Sequence, residues 1–190
     1  MELLLGVFTA FGLSASAGLN AYIPLLVIGV IVHYTDWLTL NNPWDLLANP
    51  WVLIVLGFLV IIEMLADKIP AVNHINDAIQ TFVRPVAGAI AFAASAKVIT
   101  DVHPVLALIC GLLVAGSVHA VKAGAVRPVV TATTGGAGNV PVSIAEDIFS
   151  TVMSIIAIVV PILVAVLLIL MIAFFFWWKQ RRRQKALKNI

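Results

Sequence analysis

Long apolar runs separated by short polar joints dominate the chain, at roughly 3–33, 51–69, 85–99, 104–121, 128–145 and 149–178. A bilayer core about 30 Å thick takes about 20 apolar residues per helix, so the pattern predicts about six membrane spans. Between the second and third runs, Ile69, Val72, Ile75, Ile79, Phe82 and Val83 recur at near-helical spacing, with Asn73, His74, Asn76, Asp77 and Gln80 between them. The stretch 69–83 thus predicts an amphipathic helix lying in the membrane interface. The expected fold class is an all-α integral membrane protein: one transmembrane domain over 1–178 and a basic tail over 179–190.

Two of the runs are irregular. Run 3–33 would reach about 46 Å as one straight helix, too long for a single crossing. Its middle, Ser14-Ala15-Ser16-Ala17-Gly18-Leu19-Asn20-Ala21-Tyr22-Ile23-Pro24, gathers small, polar and helix-breaking residues. Run 128–145 does the same between Thr131 and Pro141, through Gly135, Gly136, Gly138 and Asn139. The two stretches align without gaps: Ala15, Gly18 and Pro24 meet Ala132, Gly135 and Pro141. Arg84-Pro85-Val86 is echoed by Arg127-Pro128-Val129. Two interrupted or re-entrant spans and a candidate internal repeat are expected, as in many transporters.

Composition sharpens this reading. Hydrophobic residues make up 62% of the chain and charged residues 11%, against about 25% charged in soluble domains. The lipid bilayer is therefore the primary partner. The net charge of +2 comes from the tail and gives no reason to expect nucleic acid. The single cysteine, Cys110, excludes an internal disulfide and any Cys-based metal motif. The start, Met1-Glu2-Leu3, lacks the basic region of a cleaved signal, so the first run is read as a retained span.

Basic residues set the orientation. Lys179, Arg181, Arg182, Arg183, Lys185 and Lys188 follow the last apolar run directly, after Trp177 and Trp178. With that tail inside and about six crossings, ten of the eleven Lys and Arg fall inside, Lys97 alone falls outside, and loop 34–50 carries none. Both termini are then cytoplasmic, in an inner (plasma) membrane.

Charges at membrane depth need a partner or a purpose. Glu63 and Asp67, four apart, share one helix face and could hold a cation or relay a proton. Glu146 and Asp147 are expected to open the last span, capped by Ser143, or alternatively to line an outer vestibule with Asn139 and Thr134. Asn20, Asp77 and His119 complete the pathway candidates; Lys68, Arg84, Lys122 and Arg127 form an inner basic set able to meet a phosphate headgroup. His74 and Asp77 alone make no metal site. No Gly-x-Ser-x-Gly elbow, Walker loop or His-Glu-x-x-His motif occurs. Neither a cofactor nor an enzymatic activity is expected.

Ser14-Ala-Ser16-Ala-Gly18-Leu-Asn20-Ala-Tyr22-Ile-Pro24, Glu63-x-x-x-Asp67-Lys68-Ile-Pro70, Asp77, Arg84-Pro85, His119-x-x-Lys122, Arg127-Pro128, Gly136-x-Gly138-Asn139 and Ser143-x-x-Glu146-Asp147 occur together. The combination resembles a mostly bacterial family of small membrane proteins catalogued only as a domain of unknown function. The resemblance covers nearly the whole chain and implies a multi-pass inner-membrane protein. It supplies no activity.

Three functions compete: a secondary transporter or channel-like protein for a small solute or cation, a flippase or scramblase for an anionic lipid, and a non-transporting scaffold. A closed aqueous cavity favours the first, a lateral opening lined by the basic residues the second, and tight glycine contacts without a cavity the third. A homodimer is an expectation from chain size alone.

Overall fold

The computed structural model describes residues 2–95 and 103–188, and every regular element among them is helical. Eight α-helices follow in order: α1 Glu2–Leu19, α2 Tyr22–Tyr34, α3 Pro50–Ala66, α4 Pro70–Ser95, α5 Pro104–Val121, α6 Arg127–Thr134, α7 Asn139–Val159 and α8 Pro161–Lys188. A 3-10 turn, Trp44–Ala48, precedes α3. Helix starts are written locally: the Asn49 side chain accepts from Trp51 N at 2.9 Å ahead of α3, with Pro50 in the first turn. His103 and Pro104 do the same for α5.

Ile75–Ser95, Pro104–Thr134, Asn139–Val159 and Pro161–Arg181 are long and apolar enough to cross a membrane; Leu4–Leu19, Tyr22–Tyr34 and Pro50–Ala66 are apolar but shorter. Large apolar side chains such as Trp51, Ile54, Phe58, Leu65, Leu113, Ile169 and Phe174 point outward. The buried interior is built mostly from small residues: Ala10, Ala17, Ala87, Ala91, Ala115 and Ala157. This inverts the soluble pattern, as expected where lipid is the solvent and helix contact depends on close approach. Gly88 of α4 and Gly111 of α5 make the tightest approach. A Cβ on Gly88 would collide with that of Ala115, and one on Gly111 with the Gly88 carbonyl oxygen.

The contacts fix the direction of each helix. On α1 and α7, Thr9 meets Ala157, Ser16 meets Ser150 and Asn20 meets Asp147, so the two run antiparallel. Leu5, Gly6 and Thr9 of α1 line one cavity with Trp37 and Leu38, which follow α2. Helix α2 therefore runs back beside α1, and run 3–33 is a helical hairpin reversing at Asn20–Ala21. The expected interruption is there, and of the two forms expected, a break or a re-entrant turn, the chain takes a reversal.

A second correction concerns the C-terminal half. No loop separates Lys122 from Arg127; a π-helical turn, Lys122–Val126, joins α5 to α6 in one continuous helix. The reversal comes later, at Gly135 and Gly136, whose φ values of 64° and 92° suit glycine. Run 149–178 in turn divides at Val160 into α7 and α8, which run in opposite directions. Gly12 near the middle of α1 faces Ala157 and Val164 on either side of that division. Pro161 starts a helix there and does not kink one.

Two further expectations change. Stretch 69–83 is no separate element but the first half of α4, which continues through Pro85. The basic tail continues α8 to Lys188, with the Arg181 guanidinium 4.2 Å from the centre of the Trp177 ring. The start of α1 lies with Pro161, the start of α8, so the chain enters and leaves the bundle at opposite ends. The sequence pattern places both termini on one side of the membrane; in the bundle, the start of α1 and the end of α8 lie at opposite ends. Lys97 lies outside the described residues, as does the His74 side chain.

Candidate functional site

The reversal between α1 and α2 leaves the backbone N–H groups at the start of α2 without helical partners. Two side chains take them up. Asn20 Oδ1 accepts from Tyr22 N and Ile23 N at 3.2 and 3.1 Å. The Glu63 carboxylate, reaching over from α3, accepts from Ala21 N at 3.3 and 3.0 Å. An acid at a helix start is favoured by the macrodipole. Glu63 also takes two bonds from Arg84 of α4, from Nε at 3.2 Å and Nη2 at 3.0 Å. Both side chains are wholly buried.

Asp67, four residues on and just past the end of α3, is the centre of the site. Its Oδ2 is approached by Arg127 Nη2 at 3.0 Å, Lys122 Nζ at 3.2 Å and Arg84 Nη2 at 3.5 Å. Its Oδ1 accepts from Asn76 Nδ2 at 2.7 Å. The π-helical turn matters here, because it places both Lys122 and Arg127 inward from one helix. Lys122 and Arg127 also share Glu146 of α7, at 2.9 and 3.4 Å, and Lys122 donates to Leu19 O at 2.9 Å. Beside it Asp147 accepts from Lys68 at 3.1 Å and from Asn20 Nδ2 at 3.0 Å.

His119 closes the network on α5. Arg84 Nη1 lies 3.1 Å from its Nδ1. A guanidinium only donates, so Nδ1 accepts and Nε2 carries the proton toward Thr81 Oγ1 at 3.2 Å. Thr81 in turn donates to the Asp77 carbonyl oxygen at 2.8 Å.

Four acids and four bases are thus joined through α3, α4, the π-helical turn, α6 and α7. Met171 of α8 lines the same crevice as Lys122 and Glu146. It precedes Lys179 by eight residues, about 12 Å along a helix. The network therefore sits inside the apolar length of α8, not at its end.

Two features lead away from it. One is a buried polar seam between α1 and its neighbours. Ser16 and Ser150 exchange bonds at 3.1 Å, Ser14 donates to Gly111 O at 2.8 Å, and Thr9 donates to Ala157 O at 2.8 Å. It ends at a cavity of about 240 Å³ between Leu5, Thr9, Trp37, Ser95 and Pro161. The other is an apolar lateral cleft. A crevice of about 640 Å³ at Lys122 and Glu146 shares Ser117, Val118, Phe149 and Met171 with one of about 630 Å³ alongside Gly12, Ala15 and Val164.

Of the residues singled out in the sequence, Asn20, Glu63, Asp67, Lys68, Arg84, His119, Lys122, Arg127, Glu146 and Asp147 converge here. Asp77 joins only through its backbone. Glu146 and Asp147 line no separate outer vestibule. Helix α7 begins at Asn139, so both acids lie two turns inside it, and Ser143 is buried within the helix and caps nothing. Thr134 and Asn139 stay at the exposed turn, where Asn139 Nδ2 donates to Thr131 Oγ1 at 2.9 Å. In the sequence Asn76 reads only as part of a polar helix face and Ser14 and Ser16 only as part of the broken stretch, and Ser150 is not picked out. Its signal was available: Ser143, Asp147, Ser150, Ser154 and Ala157 repeat at helical spacing and form the buried face of α7.

No curated protein and no solved structure matches the chain. A family model does, over residues 7–181. With a membrane-type helical bundle, and a family model that covers residues 7–181, the chain belongs to the family described as Domain of unknown function (DUF4126).

Proposed function

We propose that the protein is a membrane transport protein for a small polar solute or ion, and that the charge network is its closed gate. The observation that carries this reading is a network of four acids and four bases where α1 turns back into α2, six of them buried and only Lys68 and Glu146 partly exposed. Such a network is poor value as mere glue, because apolar residues of similar volume often stabilise as well or better. At membrane depth it is costlier still, and ionisable groups there commonly mark a pathway. The polar seam supplies the rest of a route, from the outer cavity to the network. The broken hairpin supplies the half-helix start that transporters place at their sites.

The basic end of α8 faces the cytoplasm in this reading, following the positive-inside rule. The network then lies toward the inner side, the start of α1 lies outside, and seven helices traverse the membrane: α1 to α4, the continuous α5–α6, α7 and α8.

The test uses Ser150→Cys in a Cys110→Ala background, in inside-out vesicles with a membrane-impermeant maleimide. Position 150 is expected to be unreactive with the network intact and to become reactive when Asp67→Asn removes its centre. An inserted, folded Asp67→Asn protein whose seam stays unreactive would overturn the gate.

The lateral cleft favours a second reading, a lipid-handling protein. Its apolar walls fit acyl chains, and Lys122 stands at its inner end. Headgroup translocation in vesicles, measured with a fluorescent anionic lipid, separates the two.

A further inference from the structure

We infer that Arg84, Lys122 and Arg127 form an anion-binding cradle, that Asp67 is its built-in occupant, and that the transported species carries an oxyanion group. The inference rests on the gate reading and names the substrate class for the same site. Three cationic side chains converge on one oxygen, Asp67 Oδ2, at 3.0, 3.2 and 3.5 Å. Arg84 is also held by Glu63, and Lys122 and Arg127 by Glu146, so the network is balanced overall, yet all three cations bring a nitrogen to this one oxygen. Guanidinium forks and an ammonium group are the donors that phosphate and carboxylate groups select. Asn76 adds a neutral donor on the opposite oxygen of Asp67.

A cation would find no comparable site. Each of the four network acids already has a Lys or Arg nitrogen within 3.5 Å. An oxyanion, by contrast, can take Asp67's place without changing the charge count. Glu146 marks the way in. Its side chain is the most exposed of the network's acids, at 11% against 1–5%, and it lines the lateral cleft beside Lys122. Release of Glu146 frees two cations, of which Lys122 lines that cleft.

An oxyanion group could belong to a dissolved anion or to a lipid headgroup, and the experiment separates these sources. Full-length protein is purified in phosphatidylcholine nanodiscs, with and without phosphatidic acid, and titrated with inorganic phosphate against chloride at equal ionic strength. Thermal unfolding and calorimetry give the readout. Asp67→Asn, which empties the cradle of its own carboxylate, is expected to bind about tenfold tighter than the unmodified protein. Adding Arg127→Gln to it is expected to abolish the gain.

Stabilisation by phosphate in plain discs assigns a soluble oxyanion, and stabilisation only by phosphatidic acid assigns a headgroup. A folded Asp67→Asn protein indifferent to both overturns the inference. If Asp67→Asn folds only when one of these anions is present, that rescue supports it. If it folds under no condition, Glu146→Gln takes over the readout, and no anion-dependent shift there overturns the inference. An opened seam without anion binding removes this inference alone. Anion binding with a closed seam removes the gate and leaves the site.

Discussion

Asn20 and Asp147, 127 residues apart in the chain, are joined by a 3.0 Å hydrogen bond at the point where α1 turns back into α2. The same Asn20 side chain caps α2 through Tyr22 N and Ile23 N. One residue thus ties the reversal to α7. Asn20→Ala is expected to cost about 2–4 kcal/mol, from a lost cap and a buried acceptor deprived of its donor. Asn20→Asp keeps the capping oxygen but sets a carboxylate against Asp147, so it should destabilise too. Thermal unfolding in detergent checks both; wild-type stability in Asn20→Asp would show that the α7 contact contributes nothing.

Glu63 and Arg84 should behave as a unit. Removing one partner leaves an uncompensated buried charge, about 3–5 kcal/mol. Glu63→Gln and Arg84→Gln are each expected to be severely destabilised, and the double variant much less so than the sum. A double-mutant cycle measured by denaturant unfolding reads the coupling; strict additivity would mean the pair does not interact.

The glycines divide sharply by position. Gly111→Ala must displace Gly88, Phe92 or Ala89 across the α4–α5 contact, and a loss of about 1–3 kcal/mol is expected from overpacking. Gly57→Ala on α3 meets nothing within 4 Å and should gain up to about 1 kcal/mol from helix propensity. Opposite shifts in unfolding midpoint are the outcome to look for.

At the exposed turn, Gly135→Ala places a β-carbon at a φ of 64°, costing about 1–2 kcal/mol. Gly135→Asn is expected to cost less, because asparagine visits that region more readily. Equal effects of the two on the unfolding midpoint would argue that the turn adopts another conformation in the membrane.

Much of this molecule could be read from its residues. The membrane class followed from apolar run length, and the break near Asn20 from a cluster of small and polar residues inside a run too long for one crossing. The aligned stretch near Asn139 also proved to precede a helix start: Tyr22 and Asn139 align and open α2 and α7. Hydropathy failed where lipid makes neighbouring helices chemically alike. Val160 divides two apolar helices with no polar marker. Lys122 and Arg127 looked like loop charges because their partners, Asp67 and Glu146, lie on other helices. That misreading shifted Glu146 and Asp147 to the wrong end of the bundle, since α7 begins earlier than the apolar pattern suggested.

The most direct test of the gate is a distance. Spin labels at Leu65→Cys on α3 and Val129→Cys on α6, both exposed positions, in a Cys110→Ala background, report across the network by pulsed electron resonance. A single short distance is expected for the intact network, moving to longer and broader values when Asp67→Asn removes the acid that joins α3 to Arg84, Lys122 and Arg127. An unchanged distribution in the folded variant would contradict a network that holds these helices shut.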